Sequence, residues 1–204
     1  MAMDRNAVRR AWDDISETYA RQRDPDGSDA DLIADLRAQL PPDPTVLDVG
    51  CGDGARTLAN LPAGATGLDL SRRGLELASD RVQNAHLVQG DMTHLPVSAD
   101  TVDGITAYHA VFHVPRSAHE TVYREFTRVL RPGGTLLMTV PGGRFDTVRR
   151  GWMGGRMLFS SPGRAATLSL LSDAGFENVR TETVSDPLGS DAEFVFADLA
   201  GDEQ

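Results

Sequence analysis

The sequence predicts an α/β fold, a parallel sheet covered by helices on both faces. Three observations carry that expectation. Short apolar runs alternate with helical periods between residues 45 and 140. A glycine-rich loop, Gly50-Cys-Gly-Asp-Gly54, directly follows the first of those runs. Two more strand-like runs close the chain after Gly175.

From the N-terminus, Val8, Trp12, Ile15 and Tyr19 recur at spacings of four, three and four, the stripe of an amphipathic helix. Residues 22–31 are polar, contain Pro25 and Gly27, and read as a hinge. Ser28 with Asp31 has the form of a capping box ahead of Leu32, Ile33, Leu36 and Leu40. Pro41, Pro42 and Pro44 stop that helix. Strands are expected at 45–49, 65–70, 86–89, 102–110 and 134–140, with helices at 55–61, 72–81 and 117–130. Val122, Phe126, Val129 and Leu130 share one face of the last of these. Residues 142–163 have no clean period. A helix at 167–174 ends at Gly175, and strands at 176–184 and 193–197 follow. The chain reads as one domain over 1–204.

Composition narrows the function classes. Hydrophobic residues make up 40% of the 204 positions, enough for an ordinary core and too many for a disordered chain. The net charge is −10, all 20 basic residues are arginine, and 22 of the 30 acids are aspartate. A whole-protein basic face for nucleic acid is excluded, although a local one is not; no DNA partner is expected. Absent lysine and excess aspartate suit a very salty cytoplasm, where repulsion is screened within a few Å and compact carboxylates hold water. Cys51 is the only cysteine, so neither an intramolecular disulfide nor a thiolate metal site is expected. Arg5, Arg9 and Arg10 precede no apolar segment, and no apolar run approaches the roughly 18–20 residues of a bilayer span. The expectation is a soluble, cytoplasmic protein with no metal and no membrane partner; oligomeric state is not legible.

The glycine loop carries the chemistry. Glycines at 50, 52 and 54 let backbone approach a ligand without a Cβ clash, at the carboxyl end of a parallel strand, where open α/β sheets bind ligands. Asp69 ends the next strand, where a carboxylate can accept both hydroxyls of a ribose. Gly50-x-Gly52-x-x-Ala55 also satisfies a loose dinucleotide pattern. Against that reading, Asp48 points a charge at the loop, where it would repel a pyrophosphate. Asp91 adds a second carboxylate at the ligand edge, and no second catalytic domain follows Leu130-Arg-Pro-Gly-Gly134.

With these motifs together, residues 7–184 resemble the class I S-adenosylmethionine-dependent methyltransferases. Residues 46–54 match the family's glycine motif, Gly67-Leu-Asp-Leu-Ser71 its ribose-binding strand end and Gly90-Asp91-Met92 its adenine-side motif. Residues 103–113 match its fourth strand and following turn, and Arg131-Pro-Gly-Gly134 the turn into the fifth. The resemblance implies a Rossmann-like three-layer sandwich with seven strands, the last antiparallel, and S-adenosyl-L-methionine as cofactor. It places Asp48, Gly50 and Gly52 at the methionine moiety, Asp69 at the ribose and Leu70 beside the adenine. Asp91 and Met92 would flank the adenine amino edge, Ala107 the sulfonium side, and Tyr19 would close over the amino-acid end. Tyr19 reads equally as core stripe, and Cys51 as a small residue filling the loop.

Methyl transfer from a sulfonium is an in-line displacement with an activated leaving group, so alignment and exclusion of water supply much of the catalysis. A base is needed only if the acceptor must lose a proton. His109 and His113 are the candidates, each also readable as a structural histidine. Residues 142–164 carry five arginines against one acid, a local charge of +4, while residues 1–23 carry +1 and the remainder −15. Both segments are expected to form a lid, the first as a helix over 5–21. Arg149, Arg150 and Arg156 with Trp152 and Phe159 then read either as solvated lid residues or as the binding site of an anionic acceptor. A small-molecule acceptor ranks first because nearly the whole chain is catalytic fold plus lid. An RNA, clamped by the basic aromatic lid, ranks second, and a non-catalytic S-adenosylmethionine-binding module third.

Stability is expected to rise with salt, because surface repulsion is screened. Melting curves should shift upward between low-salt buffer and roughly 2 M KCl; a flat or falling trend contradicts the salty-cytoplasm reading.

Overall fold

The computed structural model describes residues 3–22, 27, 30–186 and 190–201. Most of the expected hinge and the capping serine, Ser28, lie outside the described residues. The N-terminal helices are α1 (Arg5–Gln22) and α2 (Ala30–Gln39). Then come β1 (Val46–Val49), β2 (Thr66–Asp69), α3 (Arg72–Arg81), β3 (His86–Gln89), β4 (Val102–Ala107), α4 (His119–Val129) and β5 (Leu130–Val140). The last third holds β6 (Arg144–Trp152), β7 (Gly155–Pro162), α5 (Arg164–Asp173), β8 (Phe176–Asp186) and β9 (Ser190–Leu199).

Seven strands form one sheet in the order β3-β2-β1-β4-β5-β9-β8. Only β9, the last in the chain, runs antiparallel to its neighbours, as the resemblance implied. Leu47 of β1 lies opposite Thr66 of β2 and Ile105 of β4. The interior strand β1 is buried at every position, the mark of a parallel strand covered on both faces. On β9, Val195 and Ala197 join one core with Val122, Tyr123 and Phe126 of α4. Phe194 and Phe196 join the other with Leu32, Ile33 and Leu36 of α2. That period-two division is what a sheet between two helical layers requires.

The structure departs from the sequence reading in two places. Residues 55–61 form turns and one 3-10 turn (Leu58–Asn60) rather than an α-helix. Seven residues before Pro62 are too few to repay helix nucleation, and Leu58 and Leu61 are buried as a plug instead. The aperiodic segment 142–163 is a β-hairpin, a separate two-stranded sheet of β6 and β7. Its two-residue turn, Met153-Gly154, has φ of +50° and +83°, the positive values a tight hairpin turn demands. Gly151, with φ +78°, sits where the register shifts between Arg150 and Trp152. Arginine on both faces of β6 is what hid the alternation.

The hairpin and α1 share a third, smaller core. Val8 and Ile15 of α1 pack with Met157, Leu158 and Phe159 of β7. Asp4 starts α1 by accepting the Ala7 amide at 2.7 Å, an N-cap. Gly155 permits the closest approach: a Cβ there would stand 2.8 Å from Ile15 Cγ2. Gly155→Leu should push α1 and the hairpin apart and cost about 1–3 kcal/mol. Thermal unfolding measures that loss, and adding Ile15→Ala should return part of it by making room.

Candidate active site

The site forms where β1, β2, β3 and β4 end, at the point where strand order reverses between β1 and β4. Gly50 leaves β1 with φ +80°, and a Cβ on it would stand 2.5 Å from Ala110 Cβ; no other residue fits that conformation and space. The amides of Gly50 and Cys51 both donate to Leu68 O, at 2.7 and 3.1 Å. Gly52 then donates its amide to Asp69 Oδ2 at 2.8 Å, and Ser71 donates to Oδ1 at 2.7 Å. Burial raises the Asp69 pKa against the opposing effect of those two amides. The carboxylate lines the cavity together with Gly50, Gly52, Leu70 and Met92.

Asp48 sits one layer deeper. It is 1% exposed and accepts from the hydroxyls of Thr57 and, at 2.8 Å, Thr106. Burial pushes its pKa up to about 6, the two hydroxyls pull down, and the charge on Asp69 adds to the rise. It does not line the cavity; it fastens Thr57, which does. Cys51 is buried, and burial drives its thiol pKa well up, so it fills the loop as a neutral thiol.

Asp91 is committed to Arg5 of α1, which donates Nε to Oδ2 at 2.7 Å and Nη2 to Oδ1 at 2.9 Å. Burial raises the Asp91 pKa, but Arg5 and the Thr93 amide outweigh it and the net shift is downward. The same guanidinium donates Nη1 to His113 O at 2.9 Å. Arg5 lines the cavity and Asp91 does not. Ala107 is fully buried in β4; the residues after it, Tyr108, His109 and Ala110, reach the cavity.

The two histidines differ. His113 is 5% exposed and its Nδ1 donates to Leu158 O on β7 at 2.8 Å. Burial lowers its pKa to about 4, with the Leu158 carbonyl opposing and Arg5 and Arg149 assisting. It is a neutral tie between the cavity wall and the hairpin. His109 is half-buried, lines the cavity and has a φ of +51°, an outlier of the kind that clusters at functional sites. Its amide donates to Thr139 Oγ1 at 2.9 Å.

Aromatic rings roof the site. Trp12 lies 5.2 Å from Tyr19, 5.0 Å from His113 and 5.7 Å from Trp152, each nearly edge-on. Phe159 sits behind, 5.2 Å from Trp152, and the Arg149 guanidinium lies 4.4 Å over its ring. Trp12, Tyr19 and His113 line the cavity; Trp152, Phe159 and Arg149 back them. Arg150 and Arg156 are elsewhere, in a groove with Arg116 that shares no lining residue with the cavity. Sequence reasoning missed Arg5, Arg56, Thr57 and Trp12 as site residues. Trp12 was visible as a partner of Tyr19 on the helical stripe, whereas Arg5 meets Asp91 86 positions away and left no local signal.

A family model described as a methyltransferase domain matches residues 47–138, the stretch from β1 into β5. That match, relatives named as methyltransferases and the fold together support a class I S-adenosylmethionine-dependent methyltransferase. The methyltransferase GfsG of Streptomyces halstedii is 43% identical over 115 residues, 50% of this chain and 40% of that one. The chain thus matches about two fifths of that relative's length. Magnesium protoporphyrin IX methyltransferase from Synechocystis PCC 6803, solved with bound SAH, superposes with a TM-score of 0.76 at 17% identity, covering 97% of this chain and 100% of that one. The [4+2]-cyclase SpnF reaches the same TM-score at 18% identity, covering 98% of each chain. A methyltransferase and a cyclase fit equally well, so the fold alone does not assign a reaction.

The pKa shifts predict opposed pH effects. His113 folds neutral, so its contribution is full above the ordinary value of 6.5 and is lost as pH falls toward about 4. Asp48 is raised, so its burial penalty is present above about 6 and is relieved as pH falls toward 3.8. The two largely offset in the native protein. In Asp48→Asn, unfolding free energy should therefore drop more steeply between pH 6.5 and 4, by about 3 kcal/mol. Chemical denaturation across that range checks it, with His113 remaining neutral by NMR until pH about 4.

Proposed function

We propose that this protein transfers a methyl group from S-adenosylmethionine to a small-molecule acceptor. The observation that carries the reading is Asp69, whose carboxylate is held by two backbone amides and faces a cavity beside the glycine loop. Its remaining acceptor capacity suits paired ribose hydroxyls. The space beside Gly52 is open, since a Cβ there would meet nothing within 4 Å, which suits close approach of a ligand to that backbone. Relatives named as methyltransferases support the same reading.

Within it, Leu70 and Met92 flank the adenine, while Gly50, Gly52 and Tyr19 surround the methionine end. Asp48 and Asp91 act indirectly, Asp48 by fixing Thr57 and Asp91 by fixing Arg5. Ala107 sets the end of β4 from which His109 projects. S-adenosylmethionine supplies a methyl group on a sulfonium that is already activated, so the chain's tasks are alignment and exclusion of water. α1 and the β6–β7 hairpin form the lid, and the Trp12, Tyr19 and Trp152 rings keep the site dry. His109 accepts a proton where the acceptor must lose one, while His113 holds the hairpin. Arg149, on the aromatic side, meets an anionic group on the acceptor.

Asp69→Ala should weaken S-adenosylmethionine and S-adenosylhomocysteine binding by about 1.5–3 kcal/mol, the scale for hydrogen bonds to a charged group. The native protein should show no comparable affinity for NAD. Calorimetry tests both; tight NAD binding, or unchanged affinity in the variant, overturns the cofactor assignment.

A further inference from the structure

We propose that the outer face of the β6–β7 hairpin is a second ligand site, selective for the phosphate group of a small organic molecule. The argument starts from which arginines have partners. In the body of the protein Arg5, Arg81, Arg128 and Arg131 each meet a carboxylate. On the hairpin, Arg144, Arg149, Arg150 and Arg156 meet none among the described residues, although the chain has 30 acids to offer.

Arg150 and Arg156 stand directly opposite one another across the two strands. Like charges in that position destabilise a strand pair, and an acid at either would have made a cross-strand ion pair instead. A third guanidinium, Arg116, enters the same groove from the turn before α4. It is ion-paired with Asp146 at 3.8 Å, a separation longer than a hydrogen bond. Three guanidiniums and one carboxylate leave the groove with a charge of +2.

That charge selects the ligand. A phosphate monoester carries about −1.5 to −2 near neutral pH, whereas a carboxylate would neutralise only half of the groove. Paired guanidinium forks also match the geometry of phosphate oxygens. Met3, Pro115, Val148 and Leu158 give the groove apolar walls for the organic part of such a molecule. A long polyanion suits it poorly: Asp4 and Glu120 follow its bordering segments, and the chain outside its two basic segments carries −15. No residue lines both the groove and the cavity, so the site goes beyond the methyl-transfer reading and does not depend on it.

The test is calorimetry on the full chain with hexyl phosphate, hexanoate and a short RNA oligonucleotide as probes. Hexyl phosphate should bind with one-to-one stoichiometry and about tenfold or more tighter than hexanoate. Arg150→Ala and Arg156→Ala should each weaken it about tenfold, while melting temperature does not fall, since a like-charge pair is relieved, and S-adenosylhomocysteine affinity stays at the native value. Those two readouts separate loss of the groove from loss of the fold. The proposal is overturned if hexyl phosphate does not bind, if both variants bind it as the native chain does, or if the RNA binds more tightly with a steep salt dependence.

Discussion

The Asp69 carboxylate is the interaction on which the rest of the site hangs. One oxygen fixes the glycine loop through the Gly52 amide and the other fixes the start of α3 through the Ser71 amide. Ser71 in turn caps α3 by accepting the Gly74 amide at 3.0 Å and donates its hydroxyl to Asp13 of α1 at 2.8 Å. Asp13 also accepts the Arg73 amide at 3.2 Å, which puts a negative charge at the N-terminal end of α3, where the helix dipole favours it. A single half-buried carboxylate thus connects the glycine loop, the end of β2 and the start of α3. Burying it is costly, as its raised pKa records, and the two amides offset that cost.

The proposed lid is separate from the sheet in the same physical sense. Its core of Val8, Ile15, Met157, Leu158 and Phe159 is its own cluster, distinct from the two that sandwich the sheet. Polar links fasten it to the body, Arg5 to Asp91, Asp13 to Ser71, Glu17 to Arg73 and His113 to Leu158 O, beside the packing of Leu70 and the stacking of Phe112 on Phe159. Releasing those contacts would leave both sheet cores covered, so movement of α1 with the hairpin need not approach the cost of global unfolding. The hydrogen bond through His113 lies within a desolvated aromatic setting, and burial lowers the pKa of that imidazole to about 4.

The parallel sheet and the residues at the edge of the cavity were legible in the sequence because both depend on local order. β3 has the bounds expected of it, Asp69 ends β2 and Met92 follows β3, both strands that the apolar runs marked. The hairpin was not legible, because Arg149 and Arg150 occupy consecutive positions and so charge both of its faces. Asp91 shows a second limit: its place after β3 suggested contact with an adenine, while its actual partner, Arg5, is 86 residues away. Spacing can place a carboxylate at the edge of a cavity; it cannot say which guanidinium reaches it first.

His109 and His113 are four residues apart in one turn, yet the chain divides their roles. Nδ1 of His113 is spent on Leu158 O, and its lowered basicity makes it a poor acceptor for a substrate proton. His109 instead holds a positive φ that only its surroundings sustain, with the Thr139 hydroxyl accepting its amide. That backbone turn aims the side chain into the cavity from the end of β4. Strain kept at a position lining a cavity, next to a histidine that carries the structural duty, is the physical ground on which the proposed proton transfer falls to His109 rather than His113.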